Sequence, residues 1–140
     1  MNRNTVTDRT MMAVKLMMLN AIDMQNHLKS RMTQITCIED YHVVRVGGPR
    51  RSGHSTVINQ LTEEYGDDIF VLTVTHDMGR NIQTRNKASV GSINNMKGVS
   101  CKMIVIDCAS IITRDKLQRI YEETFPCMSS APNPLYLLIG

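Results

Sequence analysis

The stretch HVVRVGGPRRSGHST, residues 42–56, decides how the rest of the chain is read. Val43, Val44 and Val46 make a short apolar run, and a glycine-containing turn follows it. Residues 55–65 then take a helical pattern. Strand, glycine turn and helix in this order bring backbone N–H groups and the positive end of a helix dipole to one point, the geometry that cradles phosphates. Gly48 and Gly53 permit the turn and a close approach of backbone to ligand. The spacing Gly48-x-x-x-x-Gly53-x-Ser55 is that of a phosphate-binding loop, with His54 where a lysine is expected.

The chemistry of that loop follows from its residue types. Gly48, Pro49, Arg50, Arg51, Ser52, Gly53, His54, Ser55 and Thr56 are the candidate nucleotide-binding residues, and the Ser55 hydroxyl is a candidate ligand for Mg²⁺. A lysine in this position bridges the terminal phosphates as a point charge. His54 donates a hydrogen bond but is only partly charged near neutral pH. Arg50 and Arg51 can restore the positive charge and add a forked phosphate contact. Taken alone, the segment also reads as a basic, glycine-containing turn with no nucleotide.

Outward from the loop, strand-like and helix-like segments alternate. A second strand is expected over residues 69–75, after the turn Gly66-Asp67-Asp68, and a helix over about 78–86. Residues 87–101 are polar and hold Gly91, Asn94, Asn95 and Gly98. A third strand, 102–106, ends at Asp107. A helix over about 113–124 starts near Thr113 or Asp115, and a last strand spans 135–139. The alternation predicts an α/β fold with a three-layer, mostly parallel sheet. The runs VLTV, MIVI and LYLLI suit strands buried on both faces.

The segment MIVID, residues 103–107, is an apolar strand ending in a carboxylate that can hold Mg²⁺ directly or through water. A turn aspartate after an ordinary buried strand is the plainer reading. The order decides the weight: loop first, acidic strand about fifty residues later, within a βα alternation. Many ATPases place a glutamate next, to orient the attacking water. Here that position is Cys108, and a thiol does not replace a carboxylate. Glu122 and Glu123 lie too far along the next helix, while Asp77 and His76 are possible stand-ins.

Composition bounds the rest. The 140 residues suit one hydrophobic core, and 42% apolar with 21% charged residues is ordinary for a soluble globular chain. A net charge of +3 is compatible with a polyanionic partner without arguing for one. With two Phe, four Tyr and no Trp, a stacking platform for single-stranded nucleic acid is not expected. Cys37, Cys101, Cys108 and Cys127 are scattered, which favours reduced intracellular thiols over a zinc site or disulfide framework. Neither a leader nor a membrane span is recognisable, so a soluble, cytoplasmic protein with no membrane partner is expected.

Residues 8–32 read as one amphipathic helix that Asp8 can cap, with Met11, Val14, Met18, Ala21, Met24 or Gln25, Leu28 and Met32 at helical spacing. Met12, Leu16, Met17 and Leu19 widen its apolar surface. Such a helix covers the core or meets a partner, including another copy of the chain. The chain thus divides into an N-terminal amphipathic helical segment, 1–34, and a main domain, 35–140.

Over about residues 35–140 the sequence resembles the ATPase core of viral DNA-packaging terminase large subunits and, more distantly, superfamily helicases. VVRVGGPRRSGHST resembles the terminase P-loop, which tolerates loss of its lysine and often carries arginine. VLTVTHDMGRNI resembles the strand and helix that come next. NMKGVSCKMIVIDCASII resembles the approach to the Walker B strand, and PLYLLIG the strand that couples hydrolysis to movement. The resemblance implies a P-loop NTPase core of RecA/ASCE type, with the last strand between the P-loop strand and the Walker B strand. It implies ATP and Mg²⁺ as cofactors, Arg50 or Arg51 as a cis arginine, and Ser55 and Asp107 as metal ligands, Asp107 being the Walker B acid. Double-stranded DNA is then a possible partner, through Arg80, Arg85, Lys87, Lys97 and Lys102, and the compartment is the host cytoplasm. His54 and Cys108 depart from the pattern, so nucleotide binding is better supported than hydrolysis.

Two other functions fit the sequence. One is a non-catalytic interaction module that kept the fold and lost the nucleotide. The other is a small nucleotide kinase, for which Arg80, Arg85 and Arg114 are available although no lid-like run is evident.

Overall fold

Five parallel strands form the centre of the molecule, in the order β1-β5-β4-β2-β3. The computed structural model describes residues 3–27, 42–46, 54–75, 79–80, 82–96, 99–128 and 134–140. The strands are β1 (Val43–Val46), β2 (Ile69–Thr73), β3 (Lys87–Ser89), β4 (Met103–Asp107) and β5 (Leu135–Ile139). Every residue of β2, β4 and β5 is buried, as their unbroken apolar runs require of strands covered on both faces.

Alternation along each strand sorts the side chains into two cores. Val44, Val46, Val71, Val105, Leu137 and Ile139 face one side. There they meet Val57, Ile58 and Leu61 of α2 (His54–Tyr65) and Met11, Val14 and Met18 of α1 (Arg3–His27). Leu72, Ile104, Ile106, Tyr136 and Leu138 face the other side and pack on Leu117, Ile120 and Tyr121 of α3 (Arg114–Thr124). The result is the three-layer α/β arrangement expected from the alternation, with every strand parallel.

Thr113 caps α3. Its Oγ1 accepts from the Lys116 N–H at 3.3 Å, and Asp115 lies in the first turn, where a carboxylate suits the dipole. At the far end, Thr124 Oγ1 donates to the Ile120 carbonyl at 2.6 Å. Its lone pairs are then left to accept from the Tyr136 hydroxyl, 2.7 Å away, which ties α3 to the centre of β5.

Three expectations are corrected. The N-terminal helix starts at Arg3, so Asp8 lies inside it instead of capping it, and its described part ends at His27. Leu28 and Met32, and the boundary at residue 34, lie outside the described residues. No regular helix occupies residues 82–86. Lys87 Nζ instead donates to the carbonyls of Gly79 and Ile82, both at 2.7 Å, and so captures groups that a helix would have used internally. Residues 87–89, expected to be polar loop, add an edge strand to β2. A short 3-10 segment with a kink at Ser92, Val90–Met96, follows them.

β1 enters the sheet through His42, which is buried. Its Nδ1 lies 2.8 Å from the Pro134 carbonyl and so carries the proton, and its ring meets Phe125 edge-on at 5.3 Å. Burial lowers the His42 pKa below 6.5, although the Pro134 hydrogen bond opposes the shift. The unfolded chain therefore takes up a proton near pH 6.5 while the folded chain does not, and stability must fall as pH drops from there towards the folded pKa. Urea unfolding followed from pH 8 to pH 5 is expected to show that decline, and His42→Gln to flatten it; an unchanged slope in the variant would refute the assignment.

Candidate functional site

The carboxyl ends of β1, β5 and β4 define one place in the fold. Val46 of β1 and Asp107 of β4 both stand opposite Ile139 of β5. The three residues form a row across the sheet, and at ordinary strand spacing Asp107 lies about 10 Å from Val46. Asp107 shares its parity with Met103 and Val105, so its side chain belongs to the face covered by α2. The chain leaves β1 for α2 on one face and leaves β4 for α3 on the other. Connections that diverge in this way mark the place where open α/β sheets bind ligands.

Asp107 is only 7% exposed. Its Oδ1 accepts from the Cys108 N–H at 2.9 Å, which fixes the carboxylate at the end of the strand. Cys108 itself has φ 55° and ψ 41°, a left-handed conformation that costs a residue with a Cβ about 1 kcal/mol or more. The corner is held from the neighbouring strand. Gly140 donates its N–H to the Val46 carbonyl at 2.9 Å and accepts from the Ser110 N–H at 3.2 Å. Gly140 has φ 98°, and a Cβ on it would stand 3.2 Å from the Cys108 Cα.

The residues read from the sequence fall into three groups. Gly48, Pro49, Arg50, Arg51, Ser52 and Gly53 lie outside the described residues, as do His76 and Asp77. His54, Ser55 and Thr56 open α2, whose first-turn N–H groups have no partner within the helix, and Thr56 is exposed. Asp107 is on the same face as α2, while Glu122 and Glu123 are exposed in the last turn of α3, across the sheet. Of the basic residues considered for nucleic acid, Lys87 is engaged with two carbonyls, Lys102 Nζ lies 3.7 Å from Asp68 at the amino end of β4, and Lys97 is outside the described residues.

Two cavities among the described residues do not include Asp107 in their walls. One of about 540 Å³, between α3 and the segment after β3, is lined by Val90, Ile93, Ile111, Lys116 and Glu123. The other, about 340 Å³, has Arg45, Ser110, Arg114 and Tyr121 in its wall, beside the corner at Cys108. Among the described residues, no three His, Cys, Asp or Glu side chains come together to hold a metal unaided. Also among them, no helix is long and apolar enough to cross a membrane.

In comparisons with protein-family models, curated proteins and solved structures, nothing matches the chain.

The two left-handed glycines among the described residues make a controlled comparison. Gly66, at φ 55°, has open space where a Cβ would go, whereas Gly140 has the Cys108 backbone there. Gly66→Ala is expected to cost only the conformational penalty, about 1 kcal/mol, and Gly140→Ala about 2 kcal/mol or more in urea unfolding. Equal losses would mean that the Gly140 corner does not constrain the strand ends.

Proposed function

We propose that this chain is an ATP- and Mg²⁺-binding domain of the P-loop class, RecA/ASCE-like and of terminase or helicase type, in which binding is stronger than turnover. The observation that carries the reading is the position of β5 between β1 and β4, with Asp107 and the start of α2 on one face of the sheet. That is the strand order the terminase resemblance implies.

In this reading the backbone N–H groups of Gly48, of residues 50–53 and of the first turn of α2 hold the phosphates, Pro49 having none to offer. Arg50 and Arg51 supply the charge that lysine supplies elsewhere. The Asp107 carboxylate, with the Ser55 hydroxyl, holds Mg²⁺. A single protein carboxylate suits that ion, which usually keeps water and phosphate oxygens as its other ligands. When bound, Mg²⁺ neutralises phosphate charge. Cys108 offers no carboxylate to orient water, and Glu122 and Glu123 are on the other face. Rapid hydrolysis therefore needs one of the stand-ins His76 and Asp77, or a residue from another protein or another subunit. A terminase-type role would make duplex DNA the polymer on which the domain works.

Calorimetric titration with ATP, with and without Mg²⁺, tests the reading. Binding is expected to strengthen with Mg²⁺, and Asp107→Asn to weaken the Mg²⁺-dependent part about tenfold, near 1.4 kcal/mol, while leaving metal-free binding little changed. Absence of heat at millimolar ATP would contradict it.

A further inference from the structure

The rotation of α1 about its own axis is fixed at two points. At its middle, Lys15 Nζ pairs with Glu64 of α2 at 3.0 Å. Near its carboxyl end, the buried Gln25 donates from Nε2 to the Pro134 carbonyl at 2.9 Å. Met11, Val14 and Met18 pack against the core on the same side of the helix as Gln25. The opposite side of the helix therefore points away from the protein, yet it is apolar. Met12, Leu16 and Leu19 are 65%, 61% and 57% exposed.

Arg9 and Asp23, both exposed, extend this stripe at its two ends. Positions 9, 12, 16, 19 and 23 advance by 3, 4, 3 and 4 residues, the spacing of a seam along which one helix packs on another. The charged ends of the seam are symmetric about Leu16, a cation seven residues before it and an anion seven after, while Met12 stands four before and Leu19 three after. Each charge is thus about 10 Å along the axis from the centre. A second copy related by a two-fold axis through Leu16 runs antiparallel, and it places Asp23 of each copy beside Arg9 of the other. Met12 then packs next to Leu19 of the second copy. A parallel copy would instead place Arg9 on Arg9 and Asp23 on Asp23, which repel.

We propose that the outer face of α1 is a self-complementary dimer interface, on which a second copy of this chain docks antiparallel about Leu16. This stands independently of nucleotide binding. One helix pair buries less than the about 800 Å² per partner of stable complexes, so dissociation is expected on the order of micromolar concentrations. The two-fold arrangement is closed, which limits assembly through this face to dimers.

Sedimentation velocity of the full chain, from about 1 to about 100 µM, should show a monomer–dimer equilibrium. Leu16→Glu, which puts two like charges on the axis, should leave only monomer. Arg9→Asp alone and Asp23→Arg alone should each raise the dissociation constant about tenfold, because each creates two like-charge contacts. The double variant Arg9→Asp with Asp23→Arg should recover to within about threefold of the parent. Circular dichroism melts confirm that each variant folds, as expected for exposed positions. A chain monomeric throughout the range, with its stripe left to some other protein, would overturn the proposal. A dimer that survives Leu16→Glu would do so too, and loss with Leu16→Glu but no charge-swap recovery would overturn the antiparallel docking.

Discussion

The hydrogen-bond ladder that seats β5 between β1 and β4 is the constraint on which the other features depend. Its register places Val46, Ile139 and Asp107 in one row. A slip by one residue would turn every side chain of the strand to the other face, because side chains alternate with period two. Leu135, Leu137 and Ile139 would then meet α3, and Tyr136 would meet the methionines of α1 and the valine of α2. The Tyr136 hydroxyl makes such a slip costly, since it bonds to Thr124 at 2.7 Å in a buried position and its ring packs edge-on against Tyr121 at 4.8 Å. A polar pin on one face and an aliphatic stripe on the other therefore hold the acidic strand end where it is.

Strain concentrates at the same place. Cys108 is the one non-glycine residue with positive φ among the described residues, and it follows Asp107 directly. Its N–H donates to the Asp107 side chain, a buried polar group that needs such a partner. Gly140 completes the corner by passing against the Cys108 backbone where a side chain would not fit without displacing it. Backbone strain of this kind persists where the surroundings over-determine it, and here the surroundings are the ends of three strands. The proposed metal ligand is thus oriented by the fold before any ligand arrives.

Much of this was legible in the residues. The strands VLTV, MIVI and LYLLI were recognisable because burial on both faces demands continuous apolar runs, and Thr113 marked the start of α3 by its capping chemistry. β3 was not legible: Lys87-Ala88-Ser89 has little strand propensity, and it pairs because Lys87 ties the preceding loop and the β2 edge is open to it. The helix expected near residue 80 failed for the same reason, since local pattern does not report a lysine that bonds carbonyls five and eight residues away. Asp107 stood out as a candidate because a carboxylate closing an apolar strand is conspicuous. Gly140 was overlooked, since its role depends on Cys108, which is thirty-two residues distant in sequence. The wide apolar surface of α1 was visible early, but its division into a buried face and an outer seam needed the tethers at Lys15 and Gln25.

In the proposed site, the strand order brings the head of α2 and the Asp107 carboxylate together around phosphate and metal. A crystal structure with a non-hydrolysable ATP analogue and Mg²⁺ is the decisive measurement. The phosphates should lie over the backbone of residues 53–55, with the metal about 2 Å from the Asp107 carboxylate or about 4 Å away through one water. A nucleotide bound elsewhere on the chain, or a metal remote from Asp107, would contradict the account.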